Sequence, residues 1–371
     1  MPHPGNYNRP SRYITLCVAE FCNLSCTYCY EHHKANGLMS FETAKQILDK
    51  EFQNIPDDGY LCLEFFGGEP FLNFELIKTV THYVESVLPP AKYVMFATTN
   101  GTLIHGEIQT WLLEHPMFSC SLSLDGTKEM HDTNRSHSFD DIDLSFFARN
   151  YPDQAIKMTV SRETLPKLCE GVIFCHEQGF PVSVNLAFGP DWSGNECLRI
   201  LEAQLTSLIH YYMEHPDIKP CSMLNFDIAP VAKWKEMAFA PKWCGSGTAM
   251  HTYDANGQCY SCQFFMPITL GEERAKILQK TKLPENIPLN WYPNKCRECC
   301  LLRICPMCYG ANFASTGDFF TVEDSVCATN KMIMRARACF RAKQLQKGLI
   351  RVDDDKEQAL IESILMIQEM V

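Results

Sequence analysis

Cys22-Asn23-Leu24-Ser25-Cys26-Thr27-Tyr28-Cys29 carries three cysteines at spacings of four and three residues. It follows an apolar run over 13–19 that reads as a strand, so the three thiols leave the carboxyl end of that strand on one loop. Three thiolates on one loop can converge on one inorganic centre. A structural zinc takes four protein ligands, whereas a four-iron cluster held by three cysteines keeps one iron free for another ligand. His32 and His33 follow closely, and a mixed Cys/His zinc site is the competing reading.

The pattern around this loop repeats. Short runs rich in Val, Ile, Leu, Phe and Tyr occupy 13–19, 61–66, 93–98, 118–124, 156–161 and 182–188, and each reads as a strand. The stretches between them read as helices. One starts after Ser40, a good N-cap with Thr43 in the first turn; others lie near 73–88, 105–114, 140–150, 164–178 and 196–214. Six alternations predict an α/β fold with a parallel sheet, open or closed into a partial barrel. In such sheets the chemistry sits at the carboxyl ends of the strands.

Those ends are furnished in order. Gly67-Gly68-Glu69-Pro70 closes the second run, Thr99-Asn100-Gly101 the third, and Ser123-Leu124-Asp125-Gly126 the fourth. Two glycines let a ligand approach the backbone, and Glu69 can bind an ammonium group. Asn100, Ser123 and Asp125 can bond a ribose or an adenine edge. Each dipeptide alone is an ordinary turn. Their succession on one face is not.

Composition narrows the class. The chain has 371 residues, 46% hydrophobic and 21% charged, which excludes a disordered chain. A net charge of -11 argues against a nucleic-acid partner. No apolar run reaches the roughly 18 residues of a membrane span, and no secretory signal opens the chain. With 20 cysteines in a long, unsignalled chain, metal binding is expected rather than a disulfide framework.

Nine of those cysteines fall within 244–327, in the order Cys244-X12-Gly257-X4-Cys262, then Cys296-X2-Cys299-X5-Cys305-X2-Cys308, then Cys327. A zinc ribbon is the competing reading of such paired units. Cys259 and Cys300 adjoin the pattern. Cys17, Cys62 and Cys120 sit inside strand runs and read as core. Residues 328–349 and 353–371 read as helices. The basic face Lys331, Arg335, Arg337, Arg341 and Lys343 reads as a solvated surface.

Cys22, Cys26, Tyr28 and Cys29, with Gly67-Gly68-Glu69-Pro70, resemble the signature of the radical S-adenosylmethionine (SAM) superfamily. The resemblance implies a partial (β/α)6 barrel over about 12–220. It implies a 4Fe-4S cluster on Cys22, Cys26 and Cys29 whose open iron binds SAM, and reductive cleavage to a 5'-deoxyadenosyl radical. Carried over by motif, Glu69 contacts the methionine amino group, Gly67 and Gly68 shape that pocket, Tyr28 belongs to the signature, Ser123 lies near the ribose, and Asn100 shapes its loop.

The second cysteine pattern resembles the SPASM domain, a C-terminal extension of radical SAM enzymes that modify peptides and proteins. The last spacing departs from the family, X2 in place of X3. The resemblance implies two auxiliary 4Fe-4S clusters, hence three in all. Cys244, Cys262 and Cys308 hold one, Cys296, Cys299, Cys305 and Cys327 the other. The first lacks a fourth ligand, for which Cys259 and an open iron are the options. The expected organisation is a barrel at 1–225, a small cysteine-rich SPASM domain at 226–335 and C-terminal helices at 336–371.

The resemblance implies an enzyme that abstracts hydrogen from a ribosomally made peptide, leaving a thioether, ether or C–C crosslink. Its expected partners are the precursor peptide and a flavodoxin or ferredoxin-type reductant, in a reducing cytoplasm. About twelve residues precede the first strand, too few for a leader-recognition domain. Leader recognition is then expected to be absent, supplied by a separate leader-recognition protein, or done by the barrel and SPASM surfaces. An anaerobic sulfatase-maturating enzyme is the alternative. That family has Asp after the cysteine matching Cys262 and Gln before its two glycines, where this chain has Gln263 and Phe66. A non-catalytic iron–sulfur electron carrier is the third reading. Asp125, Asp191 and Asp254 are candidate bases by region only.

Overall fold

The computed structural model describes residues 11–370, apart from 56, 58, 241, 243, 280, 351 and 352. Most of the stretch before the first strand, on which the leader-domain expectation rests, lies outside the described residues. The six apolar runs form β1 Ser11–Ala19, β2 Tyr60–Gly67, β3 Tyr93–Thr99, β4 Phe118–Leu122, β5 Ile156–Val160 and β6 Val182–Leu186. Between and after them lie α1 Phe41–Phe52, α2 Phe74–Val87, α3 Glu107–Glu114, α4 Lys128–Asn134, α5 Leu144–Asn150, α6 Leu168–Glu177 and α7 Asn195–Glu214. Ser40 caps α1 as expected, its hydroxyl accepting from Thr43 N–H at 3.1 Å. Sequence reading missed α4, because seven residues give too few turns for a periodic stripe.

β1 to β4 pair in parallel, and β5 pairs with β6. The two sets meet at one bridge, Ser123 to Lys157, reinforced by Leu124 N–H donating to Lys157 O at 3.0 Å. The result is a partial barrel. Alternate residues of its strands, such as Leu61, Leu63 and Phe65, are fully buried beneath the helices. Each such side chain contributes about 1.5–3 kcal/mol. The intervening positions, including Thr15, Glu64 and Lys157, face the lumen.

The cysteine-rich stretch joins this sheet. β7 Phe239–Ala240 pairs with β10 Ile287–Pro288, while β8 Met250–Tyr253 lies parallel on β1 and carries β9 Cys259–Tyr260. The strand order is therefore β4-β3-β2-β1-β8-β9. Four short helices follow, α8 Pro267–Leu270, α9 Glu272–Leu278, α10 Asn294–Arg297 and α11 Tyr309–Thr316. Aromatic residues of this stretch, Phe264, Phe265, Tyr292 and Tyr309, cluster with Cys17 of β1, and Tyr30 and Phe66 pack against them. The stretch thus builds a core of its own, contrary to the sequence expectation, and the barrel adds Cys17, Tyr30 and Phe66 to it.

Two long helices close the chain, α12 Asp324–Gln346 and α13 Asp354–Glu369. The basic face of α12 is not uniformly solvated. Arg337 is buried, donating to Met223 O at 2.7 Å and Ser222 O at 3.1 Å, with its guanidinium 4.5 Å from the Phe226 ring. Those carbonyls lie in the segment after α7, and by donating to both the arginine clamps α12 to it.

Candidate active site

The three-cysteine loop leaves β1 and folds over the ends of β2, β3 and β4. Gly68 N–H donates to Ala19 O and Glu69 N–H to Phe21 O, each at 3.0 Å. A Cβ on Gly67 would stand 2.0 Å from Ala19 O, and one on Gly68 2.3 Å from Phe21 O. The glycine pair therefore admits the cysteine loop itself against the backbone. Asn100 ties the other side, its Nδ2 donating to Asn23 Oδ1 at 2.8 Å while its Oδ1 accepts from Thr102 N–H at 3.0 Å.

Glu69 is buried beneath this loop. Its Oε1 accepts from Phe71 N–H at 3.2 Å and Thr99 Oγ1 at 2.8 Å, and its Oε2 from Asn100 N–H at 2.8 Å. A carboxylate offers about four acceptor directions, so one remains, on Oε2. Burial pushes the carboxyl up to about 7 against these three donors. Burial likewise raises the Cys22 thiol to about 11 and the Cys26 thiol above its usual range, with Arg135 opposing the rise at Cys26.

Tyr28, two residues after Cys26, points to the end of β4. Its hydroxyl donates to Asp125 Oδ2 at 2.5 Å. Asp125 is fully buried and also accepts from Asn134 Nδ2 at 3.1 Å and Thr159 N–H at 2.9 Å, with Arg135 Nε at 3.0 Å. Burial opposes the Arg135 charge and Asp125 sustains it. His131, fully buried, accepts from Asp125 N–H at 3.3 Å and is held neutral, its pKa lowered by burial to about 4. Sequence reading missed His131, Asn134 and Arg135. The signal was available in their spacing of three and one, which puts them on one turn of α4 behind Asp125. Ser123 stands nearby, its N–H donating to Thr99 O at 2.9 Å.

The other two aspartates proposed as bases are structural. Asp254 Oδ1 accepts from Asn256 and Gln258 N–H, closing a turn, and Asp191 Oδ1 accepts from Ser193 N–H in an exposed loop.

The cysteine-rich stretch sorts its thiols in space. Burial raises Cys262, and Cys308 and Cys244 add to the rise; Cys308 in turn feels Cys244. Burial raises Cys305 to about 12, with Cys299, Cys327 and Cys296 adding. Two neighbourhoods result, interleaved in sequence. Cys259 belongs to neither. Its Sγ lies 3.8 Å from His251 Nδ1, on the face of β9 where Tyr253 and Arg12 donate to Glu51. Cys300 Sγ lies 3.3 Å from Met370 Sδ, in the core of the C-terminal helices. Among the described residues, no three His, Cys, Asp or Glu side chains gather tightly enough to hold one metal ion.

Two cavities flank Tyr30 and Phe188. One of about 570 Å³ lies against Thr27, Tyr28, Ser161 and Arg162. The other, of about 540 Å³, is walled by β6, by Phe264, Met307 and Cys308, and by Ile333 of α12. His32, Phe188 and Gly189 line both, so the two adjoin, and between them they reach from the cysteine loop to Cys308. Phe188 is 45% exposed and meets Phe264 edge-to-face at 5.2 Å.

The profile of the radical SAM superfamily matches residues 16–203. The chain belongs to the radical SAM superfamily. It is therefore an enzyme of SAM radical chemistry that uses SAM and an iron–sulfur cluster, which sets aside the electron-carrier reading. Among curated relatives, the radical SAM cyclopropyl synthase TigE of Paramaledivibacter caminithermalis is 22% identical over 93% of this chain and 76% of that protein. The cysteine-type anaerobic sulfatase-maturating enzyme of Clostridium perfringens is 33% identical, over 31% of this chain and 32% of its own length. An uncharacterized Methanocaldococcus jannaschii protein is 34% identical, and the match spans 42% of its length.

Solved structures agree on the fold. The chain superposes on anSMEcpe with bound AdoMet and Cp18Cys peptide at a TM-score of 0.68, with 18% identity, covering 92% of this chain and 100% of that one. Streptococcus suis SuiB bound to precursor peptide SuiA gives 0.55, with 18% identity, covering 85% and 76%. Among the described residues no helix is long and apolar enough to cross a membrane.

Proposed function

We propose that this enzyme modifies a peptide or protein substrate held in the cleft between the barrel and the cysteine-rich stretch, leaving a thioether, ether or C–C crosslink. The placement of the cavities carries the reading: they adjoin at His32, Phe188 and Gly189 and between them reach from Tyr28 beside the cysteine loop to Cys308. The solved relatives named above carry bound peptides, which supports it.

Cys22, Cys26 and Cys29 would hold the SAM-binding 4Fe-4S cluster. Cys244, Cys262 and Cys308 would hold one auxiliary cluster, Cys296, Cys299, Cys305 and Cys327 the other. When bound, SAM on the reduced cluster supplies a 5'-deoxyadenosyl radical. The remaining acceptor direction on Glu69 Oε2 would receive the methionine ammonium, with Ser123 toward the ribose. Asn100 and Tyr28 would fix the loop from its two sides. Phe188 and Phe264 would give the substrate an apolar wall to lie against. A flavodoxin or ferredoxin-type reductant would supply the electron.

Oxidation of a Cys or Ser to formylglycine is the second reading, favoured by the match to the whole chain of anSMEcpe. One experiment separates the two. Anaerobically reconstituted enzyme is given SAM, dithionite, Cp18Cys peptide, SuiA and a pool of synthetic Cys- and Ser-containing peptides, and the products are sequenced by mass spectrometry. Loss of two hydrogens with a fragmentation gap between two residues supports a crosslink. Formylglycine at a single residue supports the second reading. 5'-Deoxyadenosine with every peptide unchanged overturns both.

A further inference from the structure

One face of α12 walls the cavity of about 540 Å³. Glu323, Val326, Asn330, Ile333 and Arg337 line it, alternately three and four residues apart, so they share one helical stripe. From Glu323 to Ile333 the stripe runs about 15 Å, the length of roughly four or five residues of extended chain. Leu186, Phe188, Trp192 and Phe264 also line the cavity, and most of its surface is apolar.

Glu323 is the only carboxylate among the described residues that line this cavity. It occupies the N-cap position of α12, yet its side chain makes no capping bond to the first turn. Among the described residues no hydrogen bond or ion pair engages its carboxylate. The two arginines of the cavity are engaged. Arg337 donates to Met223 O and Ser222 O, and Arg274 to Phe313 O at 2.8 Å and Ala314 O at 3.2 Å. Both therefore hold the walls together through main-chain carbonyls. A half-buried carboxylate without a partner is stabilised by any cation that enters beside it. Glu163, which lines the other cavity, is exposed and adjoins the exposed Arg162, so that rim carries both signs.

Resting on the peptide-modifying reading above, we propose that Glu323 selects the substrate: it takes a Lys or Arg side chain of a peptide that carries an aromatic or large aliphatic residue nearby. The methylene stem of the cation lies along Val326 while its charged head meets the carboxylate. The apolar neighbour packs against Phe188 and Ile333, which line the same cavity. Asn330, whose amide has no bond among the described residues, offers the peptide main chain a donor and an acceptor. A net charge of -11 favours encounter with a basic peptide. Glu323 determines specificity, and no proton or electron passes through it.

The test uses iron-loaded enzyme with SAM, the peptide pool described above, and short synthetic peptides. Each synthetic peptide carries Phe, a Cys or Ser, and either Lys, norleucine or Glu, placed at each position in turn. Affinity is read by fluorescence anisotropy without reductant, and turnover by mass spectrometry with dithionite. At the best position the Lys peptide should exceed the norleucine peptide by about tenfold in affinity and in kcat/KM, with the difference in KM. Glu323→Gln should erase that preference. Glu323→Lys should reverse it, favouring the Glu peptide over the Lys peptide by at least about threefold. A carboxylate that only steadied the helix would not turn a charge preference round. A wild-type enzyme that modifies the peptides without preferring Lys to norleucine overturns this proposal alone, as does a preference that survives in Glu323→Gln. Should a Glu323 variant fail to load iron, Val326→Lys is read instead. Its ammonium, three residues along the helix, pairs with Glu323 and should remove the preference, and a retained preference overturns the proposal. A wild-type enzyme that binds and modifies none of the peptides overturns the underlying reading, and this one with it.

Discussion

Tyr28 Oη donates to Asp125 Oδ2 at 2.5 Å, and through that bond the three-cysteine loop is fastened to the end of β4. Arg135 completes the arrangement, its Nε 3.0 Å from the same oxygen and its guanidinium 5.4 Å from the Tyr28 ring. Asp125→Ala would strand a buried guanidinium. Breaking a buried pair from one side costs about 3–5 kcal/mol. Urea unfolding should show that loss. Tyr28→Phe, which removes one bond to a charged acceptor, should cost about 1.5–3 kcal/mol. Equal effects from both would mean that Arg135 does not depend on Asp125.

Gly68→Ala places a methyl group 2.3 Å from Phe21 O, a backbone atom that cannot rotate away. Overpacking of this kind costs about 1–3 kcal/mol. The displaced segment is the entry to Cys22, so cleavage of SAM should fall at least about tenfold even where the fold survives. Rates of 5'-deoxyadenosine formation decide it. An alanine variant with wild-type rates would show that the loop does not need its close seat.

Cys259 and Cys262 are three residues apart and face different surroundings. Cys259→Ser should leave the iron and sulfide content per chain unchanged, because the thiol lies against His251. Cys262→Ser should lower both. Iron loss in the Cys259 variant would return it to the ligand set of the first auxiliary cluster.

Stability of the cluster-free protein should depend on pH through three buried groups. Burial raises Glu31 to about 8 and Glu69 to about 7, from 4.5. Each holds its proton more tightly folded than unfolded, so stability falls as pH rises through these windows. His131 works the other way, lowered from 6.5 to about 4, so its contribution to stability rises with pH over that range. Below pH 6.5 the His131 and Glu69 windows largely cancel, and from there to pH 8 Glu31 dominates. At about 1.4 kcal/mol per unit, unfolding free energy should drop by about 2 kcal/mol across that interval. In Glu31→Gln the drop should largely vanish; a slope that persists would place it on another group.

Much of the fold was legible before any coordinates. All six barrel strands fall where the apolar runs lie, because a strand buried on one face by helices must be apolar and short. The β8 and β9 extension was not legible. Met250–Tyr253 is four residues long and its pairing with β1 spans more than 230 residues of chain, so no local pattern announces it.

The order of residues determined which thiols share a loop, that Glu69 follows two glycines at a strand end, and which superfamily the chain joins. These are properties of spacing, and spacing survives without coordinates. Only tertiary structure decided that the glycines seat the cysteine loop, that Cys259 turns toward His251 and away from Cys262, that Arg337 is buried, and that Glu323 lines a cavity with its carboxylate unpaired among the described residues. Each depends on which neighbour, distant in sequence, occupies the space beside the side chain. Burial and long-range pairing set that neighbour, and no local periodicity encodes it.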